Sequence, residues 1–128
     1  MRLLLDTHLL LWAAAQPQRL SPEAIKLLQD PQNQLFCSAA SIWEIAIKSG
    51  LGRDDFKVNV RRLRRGLLEN DYSELAITSE HAVAVYDLPP VHKDPFDRIL
   101  VAQSIVEGMA LLTADPLLEG YPATIHRV

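Results

Sequence analysis

The sequence contains a single cysteine, Cys37, among its 128 residues. One cysteine cannot form a disulfide framework within the chain or a cysteine-based zinc site. The sequence has no apolar run close to the roughly 18–20 residues that a helix needs to span a bilayer. It also has no basic leader followed by a long apolar segment. We therefore expect a cytoplasmic protein in a reducing environment that has no membrane partner.

Glycine is also scarce, with five residues, and the motifs that depend on glycine are missing. Gly50 and Gly52 lack the remainder of a phosphate-binding loop or of a dinucleotide fingerprint. No serine has the Gly-x-Ser-x-Gly surroundings of a hydrolase nucleophile. The four histidines show no zinc-binding spacing. These absences argue against a nucleotide-binding loop, serine hydrolysis and zinc catalysis.

Charge of positive sign is in the minority, since the net charge is −3 and the sequence pI is about 5.7. A protein whose whole surface binds nucleic acid is basic, so this balance allows only a local basic strip. Hydrophobic residues make up 48% of the chain, which is enough for a buried core. From the length we expect one domain over residues 1–128.

What the sequence does contain is an alternation of short apolar strands and helices. Strands are predicted at Arg2–Leu5, Gln34–Cys37, Glu74–Thr78, Met109–Thr113 and Ala123–Arg127. Helices are predicted at Thr7–Ala15, Ser21–Asp30, Ala39–Lys48, Asn59–Glu69, Ser79–Asp87 and Asp94–Glu107. This alternation indicates an α/β fold in which helices cover both faces of a parallel sheet.

Four acidic residues lie near the ends of these strands: Asp6, Glu44, Asp97 and Asp115. Right-handed crossovers bring every strand-to-helix junction of a parallel sheet to one edge. Ligands of open α/β sheets bind at this edge, and carboxylate oxygens select hard cations such as Mg²⁺ or Mn²⁺. We therefore expect the four acids to converge as a cage for one of these ions.

The same acids can be interpreted as helix caps. Asp6, Asp94 and Asp115 each stand where an N-cap is expected, the last two directly before a proline. Ser41-x-x-Glu44 matches a capping box. If Ser38 is the cap instead, Glu44 is a charge inside an apolar helix with no basic residue in the preceding turn. Such a charge is costly unless something pairs with it, and a metal would supply the compensation. We assign Asp94 to the N-cap, with support of the site as an alternative.

Two further residues are candidates for supporting roles at this edge. Thr113 can donate its hydroxyl to a carboxylate or a phosphate, or can simply end a strand. Arg98 is adjacent to Asp97 and can either bind a phosphate or neutralise Asp94. The residues alone leave these alternatives open.

A basic strip precedes the third predicted strand. Its members are Arg53, Lys57, Arg61, Arg62, Arg64 and Arg65. On a helix, Arg61 and Arg65 are neighbours on one face. The strip is either a solvated helix face or a ridge that follows nucleic-acid phosphates through Arg61, Arg62 and Arg65.

The sequence resembles the PIN-domain family over essentially its whole length, and in particular the VapC-type toxin ribonucleases. The resemblance rests on the ordered segments Leu3–His8, Ser38–Ile45, His92–Gln103 and Leu111–Asp115. It implies that the metal-binding acids are Asp6, Glu44, Asp97 and Asp115, which the topology also selects. The sequence departs from the family at His8, where many members carry serine or asparagine.

The resemblance also implies a sheet order of 3-2-1-4-5 and a specific activity. That activity is Mg²⁺- or Mn²⁺-dependent cleavage of RNA phosphodiester bonds by a metal-activated water. The protein would be a homodimer and the toxin of a toxin–antitoxin pair, neutralised by a small antitoxin protein.

Other functions remain as alternatives. The chain could be an inactive PIN-like module that binds RNA or antitoxin, or a housekeeping nuclease outside any toxin system. A response-regulator receiver requires an adjacent acidic pair after the first strand and a Lys-Pro dipeptide, and the sequence has neither. A haloacid-dehalogenase-type phosphatase requires a second aspartate at position 8, where this chain has His8.

Overall fold

The computed structural model describes residues 1–52 and 56–128. Its centre is a five-stranded sheet in the order β3-β2-β1-β4-β5, and all four strand pairings are parallel. The strands are β1 (Arg2–Leu5), β2 (Gln34–Ser38), β3 (Ser73–Leu75), β4 (Ala110–Thr113) and β5 (Ile125–Arg127). The predicted α/β class and the 3-2-1-4-5 order are confirmed.

Helices connect the strands and cover both faces of the sheet. They are α1 (Thr7–Ala15), α2 (Pro22–Gln29), α3 (Ala39–Gly50), α4 (Val60–Glu69), α5 (Ser79–Tyr86) and α6 (Pro95–Glu107), with short 3₁₀ turns at Pro17–Arg19 and Pro116–Gly120. Across the described ranges 1–52 and 56–128, none of these helices has the length and hydrophobicity of a membrane span.

The core has two halves, one on each side of β1. Successive side chains of a strand point to opposite faces. Leu3 and Leu5 therefore pack with residues of α1, α3 and α4, whereas Leu4 packs with residues of α6. All three leucines are fully buried, and each such side chain contributes roughly 1.5–3 kcal/mol to stability. The two apolar faces fix the register of β1 and hence the position of Asp6 at its end.

The third strand is shorter than predicted, since it ends at Leu75 and not at Thr78. The carbonyl of Ala76 accepts a hydrogen bond from the Gln103 side chain at 3.3 Å instead of from a neighbouring strand. Thr78 is the N-cap of α5 and forms a capping box with His81. The local sequence predicted a longer strand because it shows neither of these side-chain partners.

Two other boundaries differ from prediction by two residues, and the rest differ by at most one. Helix α3 continues through Gly50, because the Leu51 N–H still donates to the Lys48 carbonyl. Strand β5 begins at Ile125, because the Ala123 N–H donates to a carbonyl of the preceding turn. Neither difference moves a predicted site residue.

Candidate active site

Asp6 is both a helix cap and a buried acid at the carboxyl end of β1. Its Oδ1 accepts a hydrogen bond from the Leu9 N–H at 2.9 Å, which caps α1. Its Oδ2 accepts from the Thr113 hydroxyl, and its own N–H donates to the Leu112 carbonyl of β4 at 3.0 Å. The cap and the site interpretations of Asp6 therefore do not exclude each other.

Thr113 links the ends of β1 and β4. Its side chain is fully buried, donates to Asp6 and accepts the Asp115 N–H at 3.0 Å. Asp115 caps the turn Pro116–Gly120 through the Leu117 N–H at 2.9 Å. The Thr113 hydroxyl thus links the side chain of Asp6 to the backbone of Asp115.

Asp97 lies in the first turn of α6, next to the cap of that helix. Asp94 is the N-cap and accepts the Phe96 N–H at 2.8 Å, followed by proline at the first helical position. The Oδ2 of Asp97 lies 3.6 Å from the Nε2 of His92. The cap orients the first turn so that Asp97 points back over the carboxyl edge of the sheet.

Glu44 is a buried acid in α3, although it does not belong to a capping box. The N-cap of α3 is Ser38, so the alternative interpretation of Ser41-x-x-Glu44 as a capping box is wrong. The hydroxyl of Ser41 instead accepts a hydrogen bond from the Thr7 hydroxyl at 3.0 Å. A helix that starts three residues earlier brings Glu44 into its second turn, where it is only 4% exposed.

The Glu44 charge has a protein partner that the sequence analysis did not consider. The Lys48 ammonium lies 2.7 Å from Glu44 Oε2, one turn towards the C-terminus. Lys48 therefore supplies part of the compensation that was expected from a metal. Among the described residues, however, the buried Oε1 of Glu44 has no hydrogen-bond partner. Half of this carboxylate thus remains available to a cation.

Burial and mutual repulsion act on the acids at this edge. Burial, followed by the charge of Asp94, raises the pKa of Asp97 to about 6, with smaller contributions from the charges of Asp6 and Glu44. Burial is also the main cause that raises the pKa of Asp6, and the charge of Asp115 adds to it. The charges of Asp6 and Glu44 thus act on Asp97, and the charge of Asp115 acts on Asp6.

The tightest group within this region includes a residue that the sequence analysis did not assign. One ligand atom each of His92, Asp97 and Asp115 lie within 4.8 Å of one another. One indication is present in the sequence, which is that His92 stands two residues before the Asp94 cap and therefore lies near the helix end that carries Asp97. The loop path that brings it there has no periodic pattern from which to predict it.

The chemistry of these donors fits a hard divalent cation. The group supplies carboxylate oxygens of Asp97 and Asp115, which Mg²⁺ and Mn²⁺ prefer. Glu44, whose charge acts on Asp97, lies outside this group but has a buried oxygen without a partner among the described residues. Carboxylates that are crowded and partly buried resist ionisation unless a cation is close. This edge therefore has the donors for a divalent ion, which suits phosphate chemistry.

Arg98 has contacts that match neither of the two expected roles. Its guanidinium donates to carbonyls of α5 and of the α5–α6 connection. The acceptors are Val85 at 3.3 Å, Leu88 at 3.4 Å, Pro89 at 3.0 Å and His92 at 3.4 Å. It also lies over the Tyr121 ring, 6.0 Å from its centroid. These bonds occupy the fork of the guanidinium, so Arg98 holds the loop before α6 rather than a phosphate or Asp94.

The basic strip lies apart from the acids. Arg61, Arg62 and Arg65 are exposed on α4, whose buried face is Leu63 and Leu67. Within residues 1–52 and 56–128, no hydrogen bond or ion pair joins these arginines to the four acids. Arg53, the first residue of the predicted strip, lies outside the described residues.

The raised pKa of Asp97 predicts a pH dependence of stability. The folded pKa is about 6, whereas an unfolded aspartate titrates near 3.9. The folded state thus binds more protons between these values, so the free energy of unfolding falls as pH rises from about 4 to about 6. In urea titrations with EDTA present, Asp97→Asn is expected to reduce this fall, and the exposed Asp87→Asn control is not. If the free energy of unfolding depends on pH equally in wild type and in Asp97→Asn, the assignment is contradicted.

Comparison with known proteins identifies relatives of this chain. The sequence model of the PIN domain family matches residues 3–122. Ribonuclease VapC22 from Mycobacterium tuberculosis is 31% identical over 119 residues, which are 92% of this chain and 90% of that protein.

Two solved structures are similar in fold. VapBC2 from Rickettsia felis, bound to a DNA fragment from its promoter, has a TM-score of 0.72 at 12% identity, covering 99% of this chain and 98% of that chain. VapBC-1 from nontypeable Haemophilus influenzae has a TM-score of 0.66 at 15% identity, covering 99% and 98%. At these identities the likeness establishes the fold alone.

Proposed function

Because this chain belongs to the PIN domain family, we propose that it is a metal-dependent endoribonuclease and the toxin of a cytoplasmic toxin–antitoxin pair. The observation that carries the proposal is the convergence of carboxylates at the carboxyl edge of the sheet. Asp97 and Asp115 lie together, and the charges of Asp6 and Glu44 act on Asp97. The similarity to a protein named as a ribonuclease supports RNA as the substrate.

The proposal gives each acid a role. Asp6 and Asp97 would be the core ligands of Mg²⁺ or Mn²⁺, and Glu44 and Asp115 would complete the shell directly or through water. When bound, such an ion neutralises the crowded carboxylates and lowers the pKa of a water that attacks a phosphodiester. Aspartates at strand and helix ends are well suited to this role, because the elements that carry them are fixed by the core.

Neighbouring groups support these roles. The Thr113 hydroxyl orients Asp6 by donating to its Oδ2. Lys48 occupies Oε2 of Glu44, and Oε1 has no partner among the described residues. Asp94 contributes through the α6 cap. Together these contacts hold the acids before RNA arrives, so little reorganisation is required on binding.

RNA recognition is proposed for Arg61, Arg62 and Arg65 on α4. All three side chains are exposed and carry the charge that binds phosphates. Their neighbour Arg64 is excluded, because it pairs with Glu74 at 3.3 Å. Helix α4 can therefore follow an RNA backbone with three of its four arginines.

The proposed partners are a small antitoxin protein and a second copy of this chain. The two structural relatives named VapBC support an antitoxin. Trp43, Ile47 and Leu51 recur at four-residue spacing along α3 and its cap, with exposed fractions of 59%, 42% and 62%. An exposed apolar stripe of this kind supports a homodimer. We further propose that residues 1–128 form one PIN domain.

The proposal is tested by sequencing RNA ends after the protein is induced in cells. We expect new ends at discrete positions together with arrested growth, and neither when Asp6→Asn is induced at the same level. Discrete cleavage without growth arrest would favour a housekeeping nuclease. No new ends from a folded wild-type protein would contradict nuclease function and favour a binding module.

A further inference from the structure

His92 lies among the acids, and the proposed function so far gives it no role. Its side chain is 22% exposed, in the connection between α5 and α6, two residues before the Asp94 cap. One of its ring nitrogens belongs to the tight group with Asp97 and Asp115. The arrangement allows two roles, a nitrogen ligand to the ion or a donor to a carboxylate.

The backbone of His92 is held on both sides, so the ring position is well defined. The His92 N–H donates to the hydroxyl of Tyr121 at 2.9 Å, and the same hydroxyl donates back to the His92 carbonyl at 3.2 Å. Arg98 also donates to that carbonyl at 3.4 Å. Tyr121 is only 4% exposed, which anchors the loop to the core.

The hydrogen bond at Nδ1 determines which ring nitrogen carries the proton. The Asp94 N–H donates to His92 Nδ1 at 3.0 Å, so Nδ1 is an acceptor and bears no hydrogen. A neutral imidazole has one N–H, which must then be on Nε2. Nε2 faces Asp97 Oδ2 at 3.6 Å. A ring nitrogen that carries a proton has no lone pair for a metal.

We propose that His92 is a positioning residue of the acidic site, whose Nε2–H orients the Asp97 carboxylate and whose ring does not ligate the ion. The inference rests on the proposed metal-dependent function. At 3.6 Å the two atoms are beyond a formed hydrogen bond. The terminal torsion of an aspartate is broad, so Asp97 can turn to accept the proton. Its other oxygen then remains for the ion.

Two substitutions separate donation from ligation. Glutamine places an N–H near the position of Nε2, whereas leucine has the bulk and no donor. Mn²⁺ binding is measured without RNA, from the free Mn²⁺ signal in electron paramagnetic resonance titrations. We expect His92→Leu to weaken binding about tenfold or more, as loss of a partner that orients a ligand does. His92→Gln should remain within about threefold of wild type on the same basis.

Pulsed resonance of the Mn²⁺-bound wild-type protein gives a second readout. Because the proposal excludes His92 as a ligand, we expect wild type and His92→Leu to show the same ¹⁴N couplings. A matched control is His126→Leu, since His126 contacts Glu23 on α2 at 3.2 Å and should leave Mn²⁺ binding unchanged. Thermal melts establish that each variant is folded.

Three results would overturn the inference. A ¹⁴N coupling lost in His92→Leu would make His92 a ligand. Equal weakening in folded His92→Gln and His92→Leu would show that donation is irrelevant, and unchanged binding in His92→Leu would remove the role altogether. Failure of the proposed function is distinct, because it appears as Mn²⁺ binding without RNA cleavage by wild type.

Discussion

Asp97→Asn is expected to reduce RNA cleavage by the purified protein at least about a hundredfold, the scale on which loss of one charge-stabilising group acts in an active site. Asparagine keeps the shape of the side chain and removes the charge that the ion requires. The proposal makes Asp97 a core ligand, and its position in the first turn of α6 leaves no other acid on that helix end except the Asp94 cap.

The same substitution should not destabilise the fold. Burial and neighbouring charges raise the pKa of Asp97 to about 6, so at pH 7 its ionised form is held at a cost in stability. Removing that charge is expected to leave the melting temperature equal or higher, the usual exchange between stability and activity. Asp87→Asn, on the exposed end of α5, is the matched control for cleavage and stability. Cleavage like that of wild type by Asp97→Asn would remove Asp97 from the site.

Removal of divalent ions is expected to have an effect of similar size. EDTA should stop cleavage by the wild-type protein, and an excess of Mg²⁺ or Mn²⁺ should restore it, because repelling carboxylates require a cation to act together. Asp97→Asn purified in parallel is the control for contaminating ribonuclease, since restored ions should not make it active. Cleavage that persists in EDTA in wild type and not in Asp97→Asn would show that the acids act without a metal.

The position of the acids was predictable because it follows from rules of chain topology. Asp6 and Asp115 each follow a strand, and parallel connection brings these strand ends to one edge. Strands β1 and β4 are adjacent in the sheet, so the two acids lie on either side of the same pairing. Local hydrophobic pattern placed both acids at this edge, whereas the adjacency of β1 and β4 was implied by the family resemblance.

The partners of the acids were less predictable, because they depend on side-chain direction and loop path. The turn before Glu44 has no basic residue, whereas Lys48 lies in the following turn. A helix pairs residues in both directions at four-residue spacing, so this contact could have been found. The position of His92 could not, since it depends on bonds to Tyr121 that join distant parts of the chain.

A helix cap and a metal ligand are compatible roles for one carboxylate. A carboxylate has two oxygens, and Asp6 uses one to cap α1 and the other to accept from Thr113. Asp115 likewise caps a turn with Oδ1 while it lies beside Asp97. Strand ends that are followed by helices supply caps and metal ligands from the same residue.

The most direct test of the central claim is calorimetric titration of Mn²⁺ into the wild-type protein and into Asp97→Asn, without RNA. The claim is that the converged acids bind a divalent ion. It predicts saturable binding by wild type and binding by the folded variant that is weaker by at least about tenfold, the scale of lost metal-site contacts. Equal affinity in the two proteins would contradict it.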